Sequence, residues 1–189
     1  MQYNKSGPQF TLPVGNEDLS ELTMLVEIPK GSINKYEYKV ETGMIHLDRV
    51  MFQQTPYPVE YGLIPRTWDE DNDMLDIMSL VSHHTFPGCI MMVRPIGVMV
   101  FEDSGEVDDK IIGVPAEDIR YAHIRNLSEL PQHTLDEITF FFERYKTIQA
   151  KYKGKELKTV VKHWGDEAKA REILHKAIAR FNEKFPEQK

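Results

Sequence analysis

The stretch "KYEYKVETGMIHLDR", Lys35 to Arg49, constrains the fold more than any other part of the chain. Successive side chains of a strand point to opposite faces. Tyr36, Tyr38 and Val40 then form an apolar face, and Lys35, Glu37 and Lys39 a charged one. "ETG" supplies a turn, and Ile45, Leu47 and Arg49 return on one face. This pattern predicts a hairpin over residues 35–49. "MLVEI" alternates too, with Met24, Val26 and Ile28 opposite Leu25 and Glu27. Further strands are expected around residues 75–81, 89–101 and 109–114, the last two bracketing a turn at "EDSGEVDD". Many short strands punctuated by Gly and Pro leave exposed edges unless the sheet closes, so a small closed barrel is expected.

Helical periodicity comes late. In "LPQHTLDEITFFFERYKTIQ", Leu135, Ile138, Phe141, Phe142, Tyr145 and Ile148 recur at helical spacing, with Pro131 near the start. In "GDEAKAREILHKAIARFNEKF", Asp166 is the expected cap, and Ala170, Ile173, Leu174, Ala177 and Phe181 the buried stripe. Residues 1–20 mix Pro, Gly and polar residues and are expected to be a loose lead-in to a single domain spanning 1–189. The class is α+β, a closed sheet with flanking helices.

The net charge of −7 argues against a nucleic-acid partner, which calls for a basic surface. A barrel of this kind can serve as an oligonucleotide platform, but the charge disfavours it. The start of the chain lacks a signal-peptide pattern, and "CIMMVRPIGVMVF" is broken by Arg94 and Pro95 and too short to span a bilayer. A cytoplasmic protein without a membrane partner is expected. The single cysteine, Cys89, is expected to be an ordinary buried thiol, since no metal-ligand spacing surrounds it.

"TWDEDNDMLD" holds five carboxylates between Asp69 and Asp76. A calcium loop fails here: counted from Asp69, Met74 falls where the tight turn needs Gly, and Leu80 where Glu is required. A solvated acidic loop is the plain alternative. Asp76, however, leads straight into the apolar run "IMSLV", and a buried carboxylate needs a partner. Asp71, Asp73 and Asp76 at close range would repel one another unless a cation such as Mg²⁺ or Mn²⁺ held them. A second acidic cluster, "FEDSGEVDDK", carries Asp103 and Asp108, with Lys110 two residues on. Two such sets could hold several divalent ions, as phosphoryl chemistry uses them. Lys35, Arg49, Lys146, Tyr57, Tyr61 and Tyr145 are the donor types that phosphate needs, although each could equally be a surface or core residue.

Taken in order, these segments resemble the family I soluble inorganic pyrophosphatases. The core motif is "DNDMLDI", Asp71 to Ile77, with Met74 where the family more often has Pro or Glu. "VEIP" brings Glu27, "KYE" Lys35 and Glu37, "DR" Arg49, and "YPVEYG" Tyr57 and Tyr61. "DSGEVDDK" brings Asp103, Asp108 and Lys110, and "FFERYK" Tyr145 and Lys146. The resemblance runs from about Met24 to the last helix. It implies a five-stranded OB-like β-barrel with helices outside and Mg²⁺-dependent hydrolysis of pyrophosphate, with several ions per site and Mn²⁺ as a substitute. It implies that Asp71, Asp76, Asp103, Asp108 and Glu27 hold metal, and that Asp73 is the general base. Lys35, Arg49, Tyr61, Lys110, Tyr145 and Lys146 would bind phosphate, with Glu37 and Tyr57 in support. Asp69 and Glu70 are expected to remain a solvated approach, with a supporting role behind the ligands left open. The resemblance also points to a homo-oligomer, a hexamer rather than a dimer.

Overall fold

A computed structural model describes residues 3–188; Met1, Gln2 and Lys189 of the expected domain lie outside it. In chain order the elements are α1 (Pro8–Thr11), β1 (Leu22–Ile28), β2 (Asn34–Lys39), β3 (Met44–Val50), β4 (Glu60–Leu63) and β5 (Asp76–Ser79). There follow β6 (Ile90–Asp103), β7 (Glu106–Val107), β8 (Lys110–Pro115), α2 (Gln132–Arg144), α3 (Thr147–Lys153), β9 (Thr159–Gly165) and α4 (Glu167–Lys184).

Five strands pair in the order β1–β4–β5–β8–β6, and β6 pairs back onto β1, so the sheet closes. β5 and β8 run parallel, and the other four pairings of this ring are antiparallel. Closure depends on the length of β6. Its first residues pair with β1, its middle with β8 and its end with β9. The register slips between Pro95 and Gly97, where Pro lacks a ladder donor and an irregularity lets the strand bend. A side chain at Gly97 would meet the Gly165 carbonyl oxygen at 2.6 Å, so this close approach of β9 requires glycine. The expected apolar run therefore becomes one bent strand serving several partners.

The two-residue alternation survives, but both faces are covered. Ile77, Val93 and Ile111 join the cluster against α4, through Ile173, Leu174 and Ala177. Met78, Ile112 and Val114, on the opposite face, join the cluster against α2, through Ile138, Phe141 and Phe142. β1 is buried at all seven positions for the same reason. The 35–49 hairpin forms as expected, β2 against β3, but lies outside the ring as a separate two-stranded sheet. The ring takes β4 from "YPVEYG" instead, a run too short to read as a strand. The turn of "EDSGEV" has positive φ at both Ser104 and Gly105, the backbone of a tight two-residue hairpin.

Three expectations change here. The helix expected from residue 130 onward breaks at Tyr145 and Lys146, and Ile148 on α3 is exposed rather than part of the stripe. β9 was not anticipated from its sequence. The lead-in is docked rather than loose: Phe10 is 1% exposed, with its ring 5.7 Å from that of Phe181 and 5.0 Å from that of Phe185. The α4 stripe and its Asp166 cap are as expected, the Asp166 carboxylate accepting from the Lys169 N–H. Among the described residues no helix is long and apolar enough to cross a membrane.

Docking of the lead-in has a measurable consequence. Phe10→Ala should cost about 3–5 kcal/mol of stability in urea unfolding, the range for a buried aromatic truncated to Ala. A loose lead-in would lose less than about 0.5 kcal/mol.

Candidate active site

The parallel pairing of β5 and β8 builds the floor of the site. Asp76 sits opposite Lys110 and Ile77 opposite Ile111. Parallel strands begin at the same end, so the acidic loop before β5 and the acidic turn before β8 open together. Lys110 Nζ lies 2.7 Å from Asp76 Oδ2 and 2.6 Å from Asp108 Oδ1, and its side chain is 1% exposed. The ammonium faces the rings of Phe101 at 5.2 Å, Tyr61 at 5.5 Å and Phe142 at 6.0 Å. Tyr61 Oη also donates to Asp76. Burial alone would pull the Lys110 pKa down, but the two carboxylates outweigh it, so its pKa is raised and the charge is fixed. Burial pushes the Asp108 carboxyl up despite the same contact, with Asp76 adding like-charge repulsion.

The loop between β4 and β5 holds its carboxylates by local hydrogen bonds. Asp69 N–H donates to the Asp73 carbonyl at 2.7 Å, and Asp73 N–H to Asp71 Oδ1 at 3.1 Å. Asn72 adopts φ +69°, a left-handed conformation that Asn tolerates better than most residues. Asp73 Oδ1 accepts from the Met74 N–H at 2.8 Å, and Met74 is itself buried. Asp73 opens to solvent at the cleft, yet protein crowds it. Desolvation, with Asp76 and Asp71 as like charges, raises its pKa to about 6. Asp71 is raised too, by desolvation and then by the charge of Asp76. Glu27, on β1, is buried, and desolvation raises it to about 8, although it accepts from the Tyr38 N–H at 2.6 Å.

The cationic wall comes from the hairpin and the break between α2 and α3. Lys35 and Arg49 are register partners across β2 and β3. Lys35 and Lys39 both hold Glu37, whose pKa falls to about 2: burial raises it, and the two ammonium groups more than reverse this. Arg49 pairs with Asp48. The helix break turns Lys146 onto Asp103, with Tyr145 Oη 3.5 Å from the same oxygen. An aromatic chain ties these segments together. Tyr57 lies 4.7 Å from Phe141, and Phe141 lies 5.6 Å from Tyr145, centroid to centroid.

Every candidate residue except Lys110 lines one cleft of about 490 Å³. That set comprises Glu27, Lys35, Glu37, Arg49, Tyr57, Tyr61, Asp71, Asp73, Asp76, Asp103, Asp108, Tyr145 and Lys146. Lys110 is set back from the lining of that cleft. It lies beneath the carboxylates because β8 carries it into the core. Of the two expectations for Asp69 the structure favours the supporting one: it is 8% exposed and paired with Arg180, while exposed Glu70 pairs with the same guanidinium. Cys89 is half-buried rather than buried and does not line the cleft; nor do His83, His84 and His123. Sequence reasoning missed Lys39, Tyr38 and Tyr3 as lining groups. Lys39 had a signal, since it shares the charged face of β2 with Lys35.

Twice as many carboxylates as cationic side chains line the cleft. Several have raised pKa values because that negative charge is crowded and desolvated. Such a surplus of oxygen donors fits hard divalent cations. Among the described residues, no three acidic, His or Cys side chains converge on one point as they stand. Lys110 and Lys146 occupy Asp76, Asp108 and Asp103.

The model of the inorganic pyrophosphatase family matches residues 24–182. An inorganic pyrophosphatase of Haloferax volcanii is 44% identical over 165 residues, covering 87% of this chain and 90% of that protein. One from Geobacillus stearothermophilus is 45% identical over 158 residues, covering 84% and 92%. The crystal structure of inorganic pyrophosphatase from Thermus thermophilus superposes with a TM-score of 0.88 at 40% identity, covering 93% of this chain and 99% of that one.

The buried lysine predicts a large effect on stability. Lys110→Met should leave Asp76 and Asp108 facing each other without a countercharge, costing about 3–5 kcal/mol in urea unfolding with chelator present. A loss below about 1 kcal/mol would show that the pair is not held as described.

Proposed function

This chain belongs to the inorganic pyrophosphatase family and is an inorganic diphosphatase, and from that premise we propose how its cleft hydrolyses pyrophosphate to two orthophosphates. Asp71, Asp76, Asp103, Asp108 and Glu27 would hold several Mg²⁺ ions, with Mn²⁺ able to substitute. When bound, these ions supply charge neutralisation of the phosphates and a more acidic water. Asp73 Oδ2 takes the proton of the attacking water while Oδ1 stays on the Met74 N–H. The water oxygen bonds to one phosphorus, the bridging P–O bond breaks, and its electron pair leaves with the second phosphate. Lys35, Arg49, Tyr145 and Lys146 bind the phosphates and stabilise the charge that moves onto the leaving group. Tyr61 contacts substrate from the edge of the floor. Glu37 and Tyr57 support the cationic and aromatic walls.

One observation carries this assignment: carboxylates, lysines, an arginine and tyrosines from widely separated segments share a single cleft. Before cations bind, desolvation and the neighbouring Asp76 and Asp71 raise Asp73 to about 6, a more basic carboxylate than usual. Lys110 stands close by and joins the phosphate donors once cations take its carboxylates. It fixes Asp76 and Asp108 from below, and it gives up that contact only as cations replace it. We further assign the closed five-stranded sheet to the OB type, residues 1–189 to one domain, the assembly to a hexamer and the compartment to the cytoplasm. The acidic balance of the chain supports the absence of a nucleic-acid partner.

Purified protein should release phosphate from pyrophosphate with Mg²⁺ and none after chelation, with ATP and sugar phosphates turned over far more slowly. Asp73→Asn should lower kcat by roughly 10²–10⁴-fold, the usual contribution of a general base. Full activity in that variant would move the base elsewhere. Absence of any pyrophosphate turnover with Mg²⁺ or Mn²⁺ would overturn the assignment as a whole.

A further inference from the structure

α4 presents one face to the acidic loop. Ala177, Arg180, Phe181 and Lys184 stand at i, i+3, i+4 and i+7, a single stripe of a helix. Each touches or packs with the segment from Trp68 to Met74. The Trp68 N–H donates to the Ala177 carbonyl at 2.9 Å. Phe181 shares a buried cluster with Trp68 and Met74. Lys184 Nζ stands 4.0 Å from the centre of the Trp68 ring and 3.4 Å from Asn72 Oδ1. Arg180 divides its guanidinium, with Nη1 on Asp69 Oδ1 at 2.9 Å and Nη2 on Glu70.

Arg180 does not line the cleft. Its influence runs through two links. The guanidinium fixes the carboxylate of buried Asp69, and the Asp69 N–H in turn donates to the Asp73 carbonyl at 2.7 Å. Asp69 is therefore tied to α4 by its side chain and to the Asp73 backbone by its own N–H. Ordinary exposed ion pairs contribute little, but Asp69 is nearly enclosed, and the fork of Arg can hold two neighbouring carboxylates where an ammonium holds one. The loop needs such an external hold because its conformation at Asn72 is left-handed and its carboxylates repel one another.

We infer that Arg180 is a positioning residue for the reaction: through Asp69 it latches the loop bearing Asp73 onto α4 and sets where the Asp73 carboxylate stands in the cleft. This rests on the assignment of Asp73 as the base. The latch is a property of this chain's own loop and last helix.

The test compares wild type, Arg180→Ala, Arg180→Lys and Asp69→Asn in Mg²⁺ with pyrophosphate, and follows backbone hydrogen exchange segment by segment. Arg180 is a third exposed, so its truncation leaves no buried void. Arg180→Ala should lower kcat by roughly 10-fold or more while KM stays within about threefold, since displacements of about 1 Å can cost up to 10² in rate. Exchange should accelerate in residues 69–75 and stay unchanged in the ring strands. Asp69→Asn should behave alike, and Arg180→Lys should recover part of kcat. A wild-type kcat in Arg180→Ala overturns the latch. So does unchanged exchange in 69–75, or acceleration throughout the molecule, which would mark a merely structural residue. If wild type itself fails to hydrolyse pyrophosphate, the functional assignment falls and the catalytic part of the latch with it. The exchange comparison then still decides whether Arg180 holds the loop.

Discussion

The contact on which the site depends is the Lys110 ammonium beneath Asp76 and Asp108. A buried ion costs several kcal/mol in desolvation unless its partners are close and well oriented. Here two carboxylates stand within 2.7 Å, and three aromatic faces surround the stem's end. This arrangement requires β5 and β8 to run in the same direction and in this register. The chain permits it because β6 lies between β5 and β8 in sequence and runs antiparallel to β8, returning the chain to the starting end. Once Asp76 and Lys110 face each other, the two acidic segments are brought to one end of the sheet.

The electrostatics of the cleft follow from that placement. Carboxylates outnumber cations along its walls, and crowding raises the pKa of Asp71, Asp73, Asp108 and Glu27. The cationic side chains sit around this surplus rather than within it: Lys35, Lys39 and Arg49 on the hairpin, Lys146 at the helix break. A polyanionic substrate would meet repulsion from the floor and attraction from the rim. Divalent cations held by those carboxylates would resolve that opposition. The aromatic chain from Tyr57 through Phe141 to Tyr145 packs continuously along one side of the cleft.

Much of this was legible in the sequence. Periodicity located the hairpin, the turn at Ser104 and Gly105, and the buried stripe of α4, because each is set by residues close in the chain. The ordered motifs named the lining residues. What was not legible depended on partners far away. "EYGL" is too short to announce a strand, and becomes one only because β1 and β5 flank it. The α2 pattern continues through Ile148, but the backbone breaks where Tyr145 and Lys146 must turn into the cleft. Asp69 looks like any acidic loop residue until Arg180, 111 positions later, is placed against it. The lead-in has the composition of a loose segment, yet Phe10 finds a pocket between Phe181 and Phe185.

The sequence by itself determined which side chains are available: the carboxylates in their spacing, the lysines and arginine on alternating strand positions, and the apolar residues that force a closed sheet. Those are local properties, fixed by covalent order and by the two periods of strand and helix. Only the tertiary structure decided which carboxylates are paired, which lysine is buried and which loop is held by α4. Desolvation and Coulomb energy depend on distance in space. Asp76 and Lys110 are 34 residues apart along the chain and 2.7 Å apart in the fold.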